Sequence, residues 1–160
     1  MGKMIKLDEI DRQILDMLIS NTRIAFTDIA KRLLISAGTV HVRVKKMEDL
    51  AIIKGSSLTL DYKKLGYNFI AYVGILIDRS KRTYEIIEEL KKKPYITVAH
   101  ITTGKYNIFC KIRAKGTEHA RDIIFSIDDV EGVLRTETMI SLEESINDKK
   151  RLMKNIFQEL

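Results

Sequence analysis

Residues 8–49 contain three short amphipathic segments in close succession, and this feature restricts the fold more than any other. The first segment begins at Asp8, a residue type that favours the cap of a helix, and its apolar residues recur at helical spacing. Thr27 is the predicted cap of a second helix, and Ser36 of a third helix that runs to about Asp49. Three helices joined by such short connections are typical of a helix-turn-helix unit.

The third segment has two unlike sides. At 100° per residue, Val40, Val44 and Met47 fall together and form the side that would pack inward. A helix that enters the major groove should have lysines for phosphates and small, polar or apolar side chains for base edges on its other side. The alternative is a merely solvated side with a stray surface valine. The residues predicted to contact DNA are Ser36, Gly38, Thr39, His41, Val42, Arg43, Lys45 and Lys46.

The distribution of charge favours an anionic partner. The chain has a net charge of +6, and residues 1–64 hold 12 lysines and arginines against 8 acidic residues. Most of the positive excess therefore lies in the first part of the chain, as expected of a unit that binds double-stranded DNA.

Residues 69–145 show a different pattern, in which strand-like and helix-like segments alternate. A buried strand at 69–77 precedes a helix that is stopped by Pro94, and two strands joined by a turn at Gly104 follow. Thr117 is the predicted cap of a second helix, after which a last strand ends the unit. This β-α-β-β-α-β order is the ferredoxin-like pattern, in which two helices cover one face of a sheet.

The chain is therefore predicted to be an α+β protein in four parts. A helix-turn-helix unit of winged-helix-like type occupies residues 1–52, and a hinge strand with a linker occupies residues 53–68. The ferredoxin-like unit spans residues 69–145. Residues 146–160 are predicted to form an amphipathic helix whose apolar residues are Ile146, Met153, Ile156 and Phe157.

One face of the predicted sheet has no helix to cover it. Phe109 and Met139 would lie on this face, where large apolar side chains are unfavourable in water. Contact with a second copy of the chain is the economical explanation, so we expect a homodimer or a larger assembly.

The sequence offers little for catalysis, metal binding or a membrane. Cys110 is the single cysteine and alternates with isoleucines, which predicts a small buried residue in a protein of the reducing cytoplasm. The three histidines lie on separate elements, and no nucleophile–base arrangement or phosphate-binding glycine loop is evident. We therefore predict no catalytic residues, no metal site, no cofactor and, since the longest apolar run is too short to span a bilayer, no membrane partner.

The first unit closely resembles the N-terminal domain of the Lrp/AsnC (leucine-responsive, or feast/famine) transcriptional regulators. The resemblance is carried by "LDEIDRQIL", Arg23-Ile24, "IAKRL", "IS", Thr39-Val40, Arg43-Val44 and "IIKG". The β-α-β-β-α-β remainder resembles the effector-sensing domain of that family, often called RAM. Together the two resemblances cover almost the entire chain.

The resemblance implies a DNA-binding regulator of amino-acid or related metabolism. Members are dimers that often assemble into octamers or other rings, and many respond to an amino acid. The segment "SSLTLDY" matches the strand that forms the hinge and pairs across the dimer. The effector would bind near the turn after the second sensor strand and near the last strand, at Thr103, Gly104, Tyr106, Asn107, Thr136, Glu137 and Thr138.

Other interpretations stay open from the residues alone. A glycine turn exposes backbone amides that suit a carboxylate, but Gly104 and the threonines also suit an ordinary hairpin. Asn107 stands where many family members carry an acidic residue, so a regulator with no effector, or with one that is not an amino acid, is the main alternative. An RNA-binding protein is the second, since Tyr106 and Phe109 are aromatic residues at the third sensor strand.

Overall fold

The computed structural model describes residues 6–148 and 150–159, and the side chains of residues 154 and 157–159 lie outside that description. The chain forms two compact units, of which the second is Leu60–Ser145 and the first comprises Met1–Thr59 and Ile146–Leu160. In chain order the elements are α1 (Glu9–Ser20), α2 (Phe26–Leu33), α3 (Ala37–Asp49), β1 (Phe69–Ile77), α4 (Thr83–Lys91), β2 (Ile96–Ile101), β3 (Ile108–Ala114), α5 (Thr117–Asp128), β4 (Val133–Ile140) and α6 (Arg151–Glu159).

The helices α1, α2 and α3 form the predicted helix-turn-helix arrangement. The Asp8 carboxylate caps α1 by accepting a hydrogen bond of 2.8 Å from the amide of Asp11, and Ser36 caps α3 in the same way at 3.0 Å. The predicted cap at Thr27 is wrong, because α2 begins one residue earlier and Ala25 takes the cap position.

One side of each of these helices contributes to a common core. Ile14, Ile29, Val40 and Met47 are fully buried there, and Val44 lies beside them. Burying an aliphatic side chain of this size stabilises the fold by about 1.5–3 kcal/mol relative to exposure. The core therefore fixes which side of α3 faces inward, and it is the side that the sequence predicted.

The second unit is a four-stranded antiparallel sheet of order β2-β3-β1-β4. Alternate residues of β1 and β3 are buried against α4 and α5, which cover one face. At the centre of the sheet, Gly74 of β1 pairs with Phe109 of β3 on one side and with Glu137 of β4 on the other. The predicted α+β class and the ferredoxin-like strand order are confirmed.

Two further local expectations differ from the structure. Thr117 is the first residue of α5, and Gly116 occupies the cap position with an extended backbone. Residues 53–61, which include most of the predicted hinge strand, form no strand with any described residue of this chain. A strand is defined by a hydrogen-bonded neighbour, and the single chain places none beside this segment.

Helix α6 belongs to the first unit although it follows the second unit in sequence. Its Met153 and Ile156 line an apolar groove of about 680 Å³, which is completed by residues of α1, by the end of α3 and by residues 52–56. Ile146, the first apolar residue predicted for this helix, precedes it and is exposed. The side chain of Phe157 lies outside the described residues.

Candidate functional site

The outward side of α3 brings together most of the residues predicted to contact DNA. Val42 lies on this side with 67% of its surface exposed, whereas its neighbours Val40 and Val44 are buried on the opposite side. We call this surface the α3 outer face, and its exposed residues are Ser36, Gly38, Thr39, His41, Val42, Lys45 and Lys46.

Polar contacts within the α3 outer face are local and exposed. The hydroxyl oxygens of Ser36 and Thr39 are hydrogen-bonded at 2.8 Å. Lys45 Nζ lies 2.8 Å from the carboxylate of Asp49, whose hydrogen bond raises the pKa of Lys45. Exposed ion pairs on a helix are weak, so a phosphate group can replace the carboxylate of Asp49 at little cost.

Arg43 differs from the other predicted contacts, because its guanidinium is held by α1. Its Nη1 atom is 2.6 Å from Oδ2 of Asp8 and 2.8 Å from Oδ1 of Asp11. The hydrogen bond with Arg43 lowers the pKa of Asp8, and the two carboxylates raise the pKa of Arg43. We call these three residues the Arg43 cluster. It attaches α3 to α1, so the geometry does not support the predicted role of Arg43 on the outer face.

The carboxylates of the Arg43 cluster were not expected from the sequence. Asp8 and Asp11 stand 35 and 32 residues before Arg43, so no local spacing relates them. The one available signal was the position of Arg43 on the helical wheel, at the boundary of the buried side, where a cation requires a counter-ion.

The face of the sheet that α4 and α5 leave uncovered, which we call the open face, carries a group of aromatic side chains. The rings of Tyr72 and Phe109 stack with their centroids 5.8 Å apart, and Lys111 Nζ lies 5.8 Å from the centroid of Tyr72. Met139, which pairs with Tyr72, is 43% exposed. Contiguous apolar surface of this kind is typical of a contact with another molecule.

Tyr106 lies over Gly74 on the open face. A Cβ atom at Gly74 would be 2.6 Å from the Tyr106 ring, so the absent side chain makes room for the aromatic group. The Tyr106 hydroxyl donates a hydrogen bond of 2.7 Å to Glu137, Lys105 Nζ lies 2.5 Å from the same oxygen, and Arg135 pairs with the other oxygen. Hydrogen bonds from Lys105 and then from Tyr106 lower the pKa of Glu137 to about 2.

We call Lys105, Tyr106, Arg135 and Glu137 the Glu137 cluster. The sequence had pointed to Tyr106 and Glu137 only, and it had not singled out Gly74, Lys105 or Arg135 as members of one site. Alternation along the last strand already placed Arg135 and Glu137 on one face. Their meeting with Lys105 and Gly74 depends on the register between β1 and β4.

The two predicted threonines of β4 do not join the Glu137 cluster. Thr136 pairs with Ile75 and Thr138 pairs with Val73, and both of these β1 residues belong to the helix-covered core. Because directly paired residues share a face, the threonines lie on the opposite side of the sheet from Glu137.

The loop before β3 holds the remaining predicted effector residues. Thr103 and Gly104 are exposed, and Gly104 has a φ of 102°, which glycine adopts readily. The carboxamide oxygen of Asn107 accepts a hydrogen bond of 3.1 Å from the amide of Ile77. That bond attaches the loop to the end of β1 through the carboxamide oxygen of a residue that was predicted to contact the effector.

Chemistry outside these surfaces is limited in the described part of the chain. It contains no group of three or more His, Cys, Asp or Glu residues placed to hold a metal ion. Cys110 is buried in the sheet core as predicted, and burial raises the pKa of its thiol to about 12. Among residues 6–148 and 150–159, no helix combines the length and the apolar character needed to cross a membrane.

Comparison with known proteins finds matches for both units. Residues 7–48 match the AsnC-type helix-turn-helix domain, and residues 70–150 match the Lrp/AsnC ligand binding domain. An uncharacterized HTH-type transcriptional regulator of Pyrococcus furiosus is 34% identical over 139 residues, which are 87% of this chain and 93% of that protein.

Solved structures show the same likeness. The structure of E. coli AsnC is 32% identical to this chain, has a TM-score of 0.86 and covers 90% of this chain and 97% of its own. The transcriptional regulator NMB0573 of Neisseria meningitidis, solved in complex with L-Met, is 19% identical and shares the fold with a TM-score of 0.84, over 90% of this chain and 95% of its own.

Proposed function

Because the chain belongs to the Lrp/AsnC family of transcriptional regulators, we propose that it reads double-stranded DNA through the α3 outer face. The observation that carries this assignment is the exposure of Val42, which lies on the same side as Thr39 and Lys45. An exposed valine gains nothing in water, but it can contact a thymine methyl group in the major groove. Lys45 and Lys46 would contact phosphates beside it.

The lysines are tested with the Lys45→Ala/Lys46→Ala double variant, in fluorescence-anisotropy titrations of a random-sequence duplex. We expect weaker binding to all sequences, and a plot of log affinity against log salt that is shallower by about 2, since two phosphate contacts are lost. The matched control is Lys91→Ala/Lys92→Ala, which removes two exposed lysines at the C-terminal end of α4 in the other unit. Equal effects from the two double variants would show that general charge, and not the α3 outer face, attracts the DNA.

Base recognition is tested with Val42→Ala and Thr39→Ala. We expect these variants to change which duplexes are selected from a random pool, with little change in the salt dependence.

A single-stranded RNA competitor distinguishes binding of double-stranded DNA from the alternative function, which is binding of RNA. If RNA displaces the duplex at equal concentration, and substitutions on the open face abolish that competition, the RNA-binding interpretation replaces ours.

For the assembly we propose a homodimer that buries the apolar group Tyr72, Phe109 and Met139 of the open face and pairs residues 53–61 of two copies. The stacked Tyr72 and Phe109, the exposed Met139 and the unpaired hinge segment all support this arrangement. A larger ring such as an octamer remains a prediction from the family. Light scattering measures the mass of the assembly for the wild type and for Phe109→Lys, and we expect a lower mass for the variant. An unchanged mass would rule out the open face as the interface.

We further propose that the second unit binds a small effector at the Glu137 cluster and the adjoining loop. Support comes from the match of residues 70–150 to a ligand-binding domain and from the ion pair between Lys105 and Glu137. An amino acid could open this pair, with its carboxylate on Lys105 and its ammonium group on Glu137. Thr103 and Gly104 would border the site, whereas Thr136 and Thr138 face the other side of the sheet.

A thermal-shift series with each of the twenty amino acids at millimolar concentration tests the effector. At a concentration one hundred times Kd, a ligand stabilises the folded state by about 2.7 kcal/mol. We expect at least one amino acid to raise the unfolding temperature of the wild type and to have less effect on Lys105→Met. No shift with any amino acid would favour an effector-independent regulator or a different ligand class.

A further inference from the structure

Leu34 ends α2 in a backbone conformation that leucine seldom adopts. Its φ is 56° and its ψ is 40°, in the left-handed region where a Cβ atom crowds the following carbonyl oxygen. The amides of Leu34 and Ile35 both donate to the carbonyl of Ala30. These bonds close the turn and impose the strained conformation, for which glycine is the better residue.

The side chain of Leu34 gains no burial in return for this strain. It is 93% exposed, whereas the next residue, Ile35, packs against the core of the first unit. A strained residue whose apolar side chain faces water adds nothing to folding. Strain and exposure at one position therefore point to contact with another molecule.

The surroundings of Leu34 identify that molecule as a polyanion with apolar edges. Lys31 and Arg32 are exposed in the last turn of α2 just before it. Ser36 and Thr39 follow it at the start of α3, and Ser36 is only two residues away. In helix-turn-helix proteins the N-terminal residues of the recognition helix, here α3, contact base edges, and the helix before it crosses the phosphate backbone. Leu34 lies in the turn between these two helices, where the neighbouring cations can hold phosphates.

We propose that Leu34 is a DNA contact, with its isobutyl group packed against the apolar carbon surface of the duplex beside phosphates held by Lys31 and Arg32. That surface is either a thymine methyl group or the edge of a deoxyribose. The proposal rests on the proposed reading of DNA by the α3 outer face, and it extends the contact surface from the helix to the turn before it.

The test compares Leu34→Gly with Ala51→Gly in the full chain. Ala51 follows α3 with a φ of 55°, so glycine relieves the same kind of strain at both positions. We expect both variants to unfold about 2–4 °C above the wild type. Only Leu34→Gly should lose DNA affinity, by about fivefold to tenfold, on a duplex selected from a random pool by the wild type.

Two further arms make the result specific. Leu34→Met keeps an apolar side chain and should bind within about twofold of the wild type. Replacing thymine by uracil in the duplex removes the methyl group. If uracil weakens the wild type more than it weakens Leu34→Gly, Leu34 contacts a thymine methyl group, and if it weakens both equally, Leu34 contacts the sugar.

Unchanged affinity in Leu34→Gly overturns the proposal while leaving the function of α3 intact. A lower assembly mass for Leu34→Gly, with unaltered DNA binding per subunit, also overturns it and assigns Leu34 to a protein contact. If the wild type itself binds no duplex, the proposed function fails first, and that result is distinct from a failure of Leu34 alone.

Discussion

The Arg43 cluster and the Glu137 cluster have similar chemistry and opposite surroundings. In each, cationic and anionic side chains from different elements meet, and a guanidinium and at least one carboxylate are among them. The side chain of Asp11 is only 2% exposed, whereas that of Glu137 is 30% exposed and that of Lys105 is 61% exposed. The first cluster lies at the edge of a core, and the second lies on a surface that is open to solvent.

Burial decides what each cluster does. A carboxylate that is cut off from water depends on its counter-ion, so the Arg43 cluster holds α3 against α1 and sets the direction of the α3 outer face. The exposed charges of the Glu137 cluster are screened by water and contribute little to stability. Charges that contribute little to the fold can be rearranged by a ligand without unfolding the unit.

The largest expected effect is that of Arg43→Met, which leaves the Asp11 carboxylate buried without its partner. We expect a loss of roughly 3 kcal/mol in the free energy of unfolding, measured by urea denaturation. Lys45→Met is the matched control, since it removes an exposed ion pair from the same helix. A similar loss in both variants would remove the distinction between buried and exposed charge.

The next effect tests the shape of the Glu137 cluster. Gly74→Ala places a Cβ atom against the ring of Tyr106, and we expect a cost of about 2 kcal/mol for this overpacking. The same change in a Tyr106→Ala background should be neutral or stabilising, because the ring is gone and alanine loses less backbone entropy than glycine. Equal costs in the two backgrounds, in a double-mutant cycle, would show that the contact is not the cause.

The smallest effect is the pH dependence that comes from Glu137. Its pKa in the folded chain is about 2, below the ordinary value of 4.5, so its ionised form favours folding. This stabilisation is complete above about pH 5 and is lost as the pH falls from 4.5 towards 2. Glu137→Gln should therefore reduce the fall in unfolding temperature between pH 6 and pH 3, by no more than about 2 °C.

Glu143→Gln serves as the control for this measurement, since it removes another exposed glutamate from the same unit. A pH profile of Glu137→Gln that matches both the wild type and Glu143→Gln would mean that the ion pairs of the Glu137 cluster do not persist in solution.

The helices of the first unit were predictable, because period and capping act over a few residues. Asp8 and Ser36 were identified as caps, and the buried side of α3 followed from a helical wheel. The predicted cap at Thr27 lies two residues after the observed cap, and the predicted cap at Thr117 lies one residue after it. A threonine before an apolar run suits either the cap or the first turn, and the backbone of the preceding residues decides between them.

The contacts that complete both clusters were beyond local reasoning. Asp11 meets Arg43 across two helices, and Gly74 meets Tyr106 only when β1 and β3 have their observed register. The strand pattern correctly separated the face of Thr136 from the face of Glu137. The resemblance had nevertheless grouped both residues in one site, because position along the strand does not tell which face a ligand uses.

Helix α6 is synthesised after the sheet unit, although it belongs to the first unit, and this order matters during translation. The sheet unit is translated before residues 150–159, which belong to the first unit and contribute Met153 and Ile156 to its apolar groove. A nascent chain can therefore complete the sheet unit while the apolar groove of the first unit still lacks Met153 and Ile156. A stop codon introduced just before Arg151 would therefore leave the sheet unit complete and remove α6 from the first unit.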